Sequence, residues 1–116
     1  KRLRVVAGSE GPQTAEIDLE IAGEHKWTTA RGNGPVDAVF NAIREVIPHE
    51  AVLELYQVSA VTQGTDAQAE VSVRLSEDGI VATGRSFDPD TLCASAKAYL
   101  HALNKLEARR QKRMAA

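Results

Sequence analysis

Apolar and polar residues alternate along several stretches of this chain, and such alternation predicts β-strands. Ile17, Leu19 and Ile21 alternate with the acidic residues Glu16 and Asp18, which predicts a strand with one buried and one solvated face. Further strands are predicted at residues 3–7, 25–30, 52–62, 69–75 and 80–85. Glycine-containing turns separate neighbouring runs, so each group of three strands is expected to pair in antiparallel order.

Two stretches with apolar residues spaced by three and four predict helices. The first is expected to begin at about Pro35 and to stop at Pro48. The second is expected to open at Asp88-Pro89-Asp90 and to run to Leu106. The predicted order is therefore βββα followed by βββα.

The two halves match at a constant separation, which predicts an internal repeat. The separation is 54 residues, as from Ala15 to Ala69, and the matching pairs are Glu16/Glu70, Thr29/Thr83, Arg31/Arg85, Pro35/Pro89 and Ala42/Ala96. We predict one α+β domain over residues 1–116, with repeats at about 3–47 and 55–106. Its antiparallel sheets should pack on the helices as two pseudo-symmetric units. The basic tail, 107–116, is interpreted as a solvated, fraying helix end.

A glycine-rich turn precedes the first helix. Gly32, Asn33 and Gly34 suit a tight turn, and Pro35 suits the first helical position. The first N–H groups of a helix lack internal partners and can receive an anion. Gly34 brings neither a capping side chain nor a charge, whereas its counterpart Asp88 is expected to cap its own helix. An ordinary turn that needs glycine for its backbone angles is the alternative.

Composition narrows the possible functions. The net charge of -2 over 116 residues argues against nucleic acid as a partner, and no apolar run approaches the roughly 20 residues of a membrane helix. We therefore expect a cytoplasmic protein. Cys93 is the only cysteine, so an internal disulfide is excluded, and we interpret it as a buried, inert thiol.

Other side chains offer little chemistry. The three histidines lack the spacing of metal ligands, so no metal site is predicted. A small enzyme built on Asp66, Asp88 and His101 is disfavoured, because these residues lack the spacing of a nucleophile and base. Trp27 is predicted to lie in the core. Two arginines are predicted to form structural ion pairs with carboxylates: Arg31 and Arg85.

Three stretches of the chain resemble one known family. They are Arg31–Ala38, Tyr56–Val71 and Ala94–Leu106. Together they resemble the C-terminal regulatory, or dimer, domain of 2-isopropylmalate synthases, and citramalate synthases carry a similar domain. The resemblance extends from about Leu3 to Leu106.

The resemblance implies a homodimeric, non-catalytic domain that binds a branched-chain amino acid. The effector is leucine in 2-isopropylmalate synthases and isoleucine in citramalate synthases. Its binding inhibits a catalytic barrel that condenses acetyl-CoA with a 2-oxo acid at a divalent metal. No cofactor is expected in the regulatory domain itself. The family's effector site maps to Gly32, Asn33, Gly34, Pro35, Val36, Tyr56, Val58, Ala60, Phe87, Asp88 and Pro89.

These residues suggest how an amino acid would be held. We expect the carboxylate of the effector at the helix start after Gly34 and its ammonium near Asp88. Its branched side chain would contact Val36, Tyr56 and Val58. The segment from Phe87 to Asp90 departs from the family's usual pattern. A dimerisation module that has lost its ligand is the alternative.

Overall fold

The chain forms two compact units, Lys1–His49 and Glu50–Ala116. This computed structural model describes residues 3–7, 14–21, 23–63 and 66–115. Each unit contains a three-stranded antiparallel sheet and one helix, so the predicted α+β class and the two βββα units are confirmed. Residues 8–13 and 64–65, which belong to the glycine-containing turns predicted between strands, lie outside the described residues.

The first unit contains β1 (Leu3–Ala7), β2 (Thr14–Ile21), β3 (Glu24–Arg31) and α1 (Pro35–Val46). Its strand order is β1-β2-β3, with β2 in the centre. Three buried residues of β2 alternate along the strand, and α1 contributes five buried residues: Ala15, Ile17 and Leu19, and Ala38, Val39, Phe40, Ala42 and Ile43. The alternation that predicted β2 thus corresponds to its core face.

The second unit contains β4 (Val52–Gln63), β5 (Asp66–Glu77), β6 (Ile80–Asp88) and α2 (Thr91–Ala115). Its strand order is β4-β5-β6, and α2 packs on β5 and β6. Val71, Val73 and Leu75 of β5 are fully buried. A β-carbon at Gly84 would overlap the carbonyl oxygen of Ala98 and the backbone nitrogen of Ala102. Glycine at this position therefore lets the α2 backbone contact β6 directly.

The two helices do not begin at equivalent positions of the repeat, contrary to the prediction. α1 begins at Pro35, whereas α2 begins at Thr91, two residues beyond the counterpart of Pro35. The oxygen Oδ1 of Asp90 accepts hydrogen bonds from the N–H groups of Leu92, at 2.8 Å, and Cys93, at 3.4 Å. Asp90 is therefore the N-cap of α2, and the prediction that Asp88 caps this helix is wrong.

The basic tail is largely exposed, as predicted, but its interpretation as a fraying end is wrong, because α2 continues to Ala115. Arg109 donates to the carbonyl oxygen of Val81, and Arg110 pairs with Glu77. Arg113 donates to the carbonyl oxygen of Asp78 at 2.9 Å. The last turns of α2 are thus bonded to the β5–β6 hairpin.

Trp27 does not lie in the core, as predicted, but is 59% exposed. Pairing in the sheet explains the error: Trp27 lies opposite Asp18, whereas the neighbouring Ile17 faces α1 and is buried. Trp27 therefore projects from the sheet face that α1 leaves uncovered.

Two arginines were predicted to form ion pairs with carboxylates. Arg85 does so with Glu70 at 3.3 Å. Within the described part of the chain, Arg31 forms no such pair.

Candidate effector site

The predicted effector residues divide between the two units. Five lie at the start of α1 in the first unit, and six lie on β4, on β6 and just after β6 in the second unit. Each group is described within its own unit.

The N-terminus of α1 is open at Gly34. This residue is the N-cap, its φ of -174° is extended, and its carbonyl oxygen accepts the N–H of Ala38 at 2.9 Å. No side chain caps the helix, and a β-carbon at Gly34 would meet nothing within 4 Å. Pro35 occupies the first helical position, as predicted. Among the described residues, the space beside Gly34 is therefore open at the end of the helix where unpartnered N–H groups can bind an anion.

Asp37 is a component of this turn that the sequence analysis missed. Its Oδ2 accepts the N–H of Asn33 at 2.8 Å. Gly32 fits closely beneath this bond, because a β-carbon there would lie 2.5 Å from the nitrogen of Ala38 and 2.7 Å from Oδ2 of Asp37. The helix start therefore carries a negative charge, which the comparison based on Gly34 alone did not predict. An acidic residue three positions after an N-cap is the available sequence signal.

A further hydrogen bond fixes the turn to the body of α1. The side-chain Nδ2 of Asn41 donates to the carbonyl oxygen of Arg31 at 2.8 Å. The end of β3 is thereby tied to the second turn of the helix. The turn between them is held from both sides, by Asn41 and by Asp37, and its conformation is preorganised for any ligand that binds there.

In the second unit, Tyr56, Val58 and Ala60 lie on the helix-covered face of β4. Their partners on β5 are Val73, Val71 and Ala69. The Tyr56 hydroxyl lies 2.8 Å from Oγ of Ser95, and this serine donates to the carbonyl oxygen of Thr91 at 2.8 Å. Tyr56 is therefore the donor in its bond to Ser95. This bond attaches β4 to the first turns of α2.

Asp88 lies in the same row of the sheet as Ala60, because both pair with Ala69. Its Oδ1 accepts the N–H of Asp90 at 2.9 Å, and its Oδ2 pairs with Nζ of Lys97 at 2.8 Å. These bonds, that to Lys97 first, hold the pKa of Asp88 below its ordinary value. The same bond raises the pKa of Lys97. Asp88 already has a cation as its partner.

The structure separates Phe87 from the other predicted residues of its unit. Phe87 lies opposite Glu70 on β5, so it projects from the sheet face away from α2 and is 48% exposed. Asp88, the next residue, belongs to the helix-covered face. Pro89 is exposed between β6 and α2. One face of the sheet therefore carries Asp88 with the β4 residues, and the other carries Phe87.

The chain was compared with known protein families. A family model described as the LeuA allosteric (dimerisation) domain matches residues 1–107. The chain belongs to this family. The resemblance inferred from the three sequence stretches is confirmed.

Relatives of this LeuA-type domain carry the name 2-isopropylmalate synthase. The protein from Caulobacter sp. (strain K31) is 64% identical over 112 residues, which cover 97% of this chain and 21% of the relative. Those from Afipia carboxidovorans and Bradyrhizobium diazoefficiens are each 64% identical over 110 residues, covering 95% of this chain and 21% of the relative. The chain therefore spans about one fifth of the length of these relatives.

Two of the three groups considered for catalysis, Asp88 and His101, have structural partners in this LeuA-type domain. His101 Nδ1 accepts the N–H of Arg85 at 3.1 Å. Burial, followed by the nearby carboxylates of Asp90 and Asp88, raises the pKa of the Cys93 thiol, which keeps it protonated. The side chain of Asp66 lies outside the description. Within residues 14–20, 23–61 and 68–114, no group of three or more histidine, cysteine or acidic residues could hold a metal ion.

None of the described helices combines the length and the apolar character that crossing a bilayer requires.

Proposed function

We propose that this chain is the effector-binding and dimerisation domain of a cytoplasmic 2-isopropylmalate synthase. In this proposal the domain binds leucine, forms a homodimer and transmits feedback inhibition to a catalytic barrel in the same polypeptide. Membership in the LeuA allosteric (dimerisation) family supports the proposal. The acetyl-CoA and divalent metal of the proposed reaction would belong to the barrel, so this domain itself would have no turnover.

The observation that carries the proposal is the open N-cap at Gly34. Among the described residues, no side chain caps α1 there, and a β-carbon at Gly34 would meet open space. We propose that the carboxylate of leucine accepts hydrogen bonds from the first N–H groups of α1. Gly32 and Asn33 shape the turn, and Pro35 fixes its entry into the helix.

We propose a different carboxylate for the ammonium of leucine from the one that the sequence alone suggested. Asp88 would first have to release Lys97, which it contacts at 2.8 Å. Asp37 lies in the same turn as the helix N–H groups, and within the described residues its carboxylate receives a backbone N–H, at 2.8 Å, and no cation. We therefore propose Asp37 as the partner of the ammonium. A zwitterion suits this turn better than a simple anion, because the turn presents both free donors and a carboxylate.

We propose that the side chain of leucine is bound by the apolar residues that the family resemblance gives. Val36 follows the turn directly and is half-buried. In the second unit, Tyr56, Val58 and Ala60 share one sheet face, whereas Phe87 lies on the other and Pro89 follows the strand. Each of these side chains is tested by its own substitution. The exposed Phe87 is the one whose removal should affect leucine binding least.

Calorimetric titration with leucine tests the proposal. Two charge-assisted hydrogen bonds contribute about 1.5 to 3 kcal/mol each and the buried leucyl group about 2 kcal/mol, against several lost on immobilisation, so we expect micromolar affinity. Isoleucine, the effector of the citramalate synthase alternative, should bind more weakly. No heat with either amino acid, using protein shown to be dimeric, would favour the ligand-free dimerisation module.

Gly34→Asp tests the position of the carboxylate. The new side chain has room, would cap α1 and would place a negative charge where the ligand carboxylate is proposed to bind. We expect leucine affinity to fall by about 100-fold or more. Gly34→Ala is the matched control, because it adds a side chain that cannot accept a hydrogen bond. Equal affinity of the two variants would contradict the carboxylate assignment.

A further inference from the structure

The two edges of the second sheet are treated differently by the fold. At the β6 edge, side chains of α2 contact the outward backbone groups of the strand. Lys105 donates to the carbonyl oxygen of Thr83 at 2.8 Å, and Arg109 donates to that of Val81. His101 accepts the N–H of Arg85 at 3.1 Å. These side chains are spaced by four residues along one face of α2, so this edge is closed.

The β4 edge has no such cover in the described part of the chain. β4 pairs with β5 alone, and α2 packs on β5 and β6. Val58 is 47% exposed, although it lies on the same face as the fully buried Val71. An uncovered edge presents unpaired backbone groups to which a further strand can add, and an apolar side chain there would be buried by such a strand.

The sequence of β4 also lacks the features that usually prevent edge pairing. Residues 55–62 contain no charge, proline or glycine. The nearest charge, Glu54, lies at the register shift between Leu53 and Leu55. Its Oε2 accepts a hydrogen bond from Oγ of Ser76 at 2.6 Å, so its carboxylate is held on the β5 side. The bulge and Glu54 thus bound one end of an unprotected stretch.

We propose that β4 pairs in antiparallel order with β4 of a second copy, around a two-fold axis at Val58. Each Val58 then faces its counterpart, Tyr56 faces Ala60, and Gln57 faces Ser59. Leu55 faces Val61. Apolar residues oppose apolar ones, a large side chain opposes a small one, and the two polar residues oppose each other.

Neighbouring registers lose this match. With the axis at Tyr56, Leu55 would face Gln57, and with the axis at Ala60, Ser59 would face Val61. In the dimer, the β4-β5-β6 sheet of one copy joins that of the other into one six-stranded sheet. They can join only through β4, because α2 closes the β6 edge. This inference deepens the proposed function, since it rests on the proposed homodimer and specifies the strand that forms it.

Val58→Lys tests the interface by sedimentation velocity of the 116-residue chain without leucine. The substitution places two lysines against each other at the axis, so we expect the dimer dissociation constant to rise by about 100-fold or more. Val81→Lys is the matched control, because Val81 is 43% exposed on β6 and faces away from α2. It should remain a dimer. Far-ultraviolet circular dichroism verifies that both variants fold.

A pair of double variants tests the register without altering a proposed effector residue. In Gln57→Lys/Ser59→Lys, two lysine pairs oppose each other across the axis. In Gln57→Glu/Ser59→Lys, the same positions form two ion pairs. Residues 57 and 59 are both exposed. We expect the first double variant to dimerise about tenfold more weakly than the second at low ionic strength, and the difference to shrink in high salt.

The outcomes separate this inference from the proposed function. A dimer that survives Val58→Lys, or equal affinities of the two double variants, would overturn the β4 interface and leave leucine binding intact. A monomeric wild-type chain at high concentration would overturn the interface together with the proposed homodimer. If Val58→Lys disrupts the dimer but the wild-type dimer gives no heat with leucine, only the effector proposal is overturned.

Discussion

The two βββα units attach their helices to their sheets in different ways. In the first unit, α1 starts at an uncapped glycine, and Asp37 reaches back to the N–H of Asn33. In the second unit, Asp90 caps α2, and Asp88 and Lys97 add an ion pair beside the cap. The same supersecondary unit therefore has one open and one closed helix start.

The two units also differ in how closely the helix packs on its sheet. Gly84 of β6 meets the α2 backbone directly, whereas its counterpart Ala30 in β3 keeps a buried methyl group beneath α1. The second helix is 25 residues long and the first is 12. The second unit thus has more features that stabilise it, while the first leaves backbone donors available. Such a division is expected when a ligand supplies the missing interactions of one unit.

Gly84→Ala should have the largest effect on this comparison. The new β-carbon would overlap backbone atoms of Ala98 and Ala102, which cannot move independently of the helix. We expect the free energy of unfolding to fall by about 3 kcal/mol. Urea denaturation measures it.

Gly34→Ala is the control for Gly84→Ala, because its β-carbon meets nothing within 4 Å. Its effect should remain below about 1 kcal/mol. If both substitutions cost the same, the close approach of α2 to β6 would not be the feature that distinguishes the units.

Asp90→Ala should have the next largest effect. It removes the acceptor for the N–H groups of Leu92 and Cys93 and the negative charge at the start of α2. We expect a loss of about 1 kcal/mol in the free energy of unfolding, measured in urea. Asp90→Asn keeps an acceptor and should recover most of it. If Asp88→Ala caused this loss of stability and Asp90→Ala caused none, Asp88 would be the N-cap of α2 after all.

Gly34→Ser should stabilise the first unit slightly, by a few tenths of a kcal/mol, because the hydroxyl can cap α1. The midpoint of urea denaturation measures the gain. Gly34→Ala, which brings the same β-carbon without an acceptor, should not show it. Stabilisation by Ser together with weaker leucine binding would sharpen the view that the open cap serves the ligand.

Much of the fold could be predicted from the sequence, because strand alternation and helical spacing are local. The errors arose where pairing or packing decided the outcome. Trp27 was assigned to the core because it is aromatic, but its register opposite Asp18 places it on the uncovered face. Asp88-Pro89-Asp90 offers two caps, and the proline favoured the wrong one. The basic tail was interpreted as a fraying end, since only the folded hairpin supplies its carbonyl partners.

The candidate site was less predictable than the fold. Gly34 could be identified as an open cap because glycine has no side chain to cap α1, although its internal counterpart Asp88 is not the cap of α2. The ion-pair partner of Asp88 could not be predicted, because Lys97 lies nine residues away on a helix whose start was predicted at the wrong residue. The face of Phe87 likewise depends on the pairing of β6 with β5.

The smallest expected effect concerns the pH dependence of the second unit. The bonds to Lys97 and to the N–H of Asp90 lower the pKa of Asp88 in the folded protein. The ionised carboxylate therefore stabilises the fold fully above its ordinary pKa, and this contribution is lost as the pH falls through the lowered value. Asp88→Asn should flatten the decline of the free energy of unfolding between about pH 5 and pH 2.

Lys97 supplies the second arm of this experiment. Its pKa is raised by Asp88, so its contribution is present below the ordinary lysine pKa and is lost as the pH rises through the raised value. Lys97→Met should flatten the acid decline as Asp88→Asn does, and the double variant should add little. The counterpart of Asp88 is Gly34, which has no titrating group, so this dependence should belong to the second unit alone. An acid decline unchanged in both variants would assign it to other carboxylates.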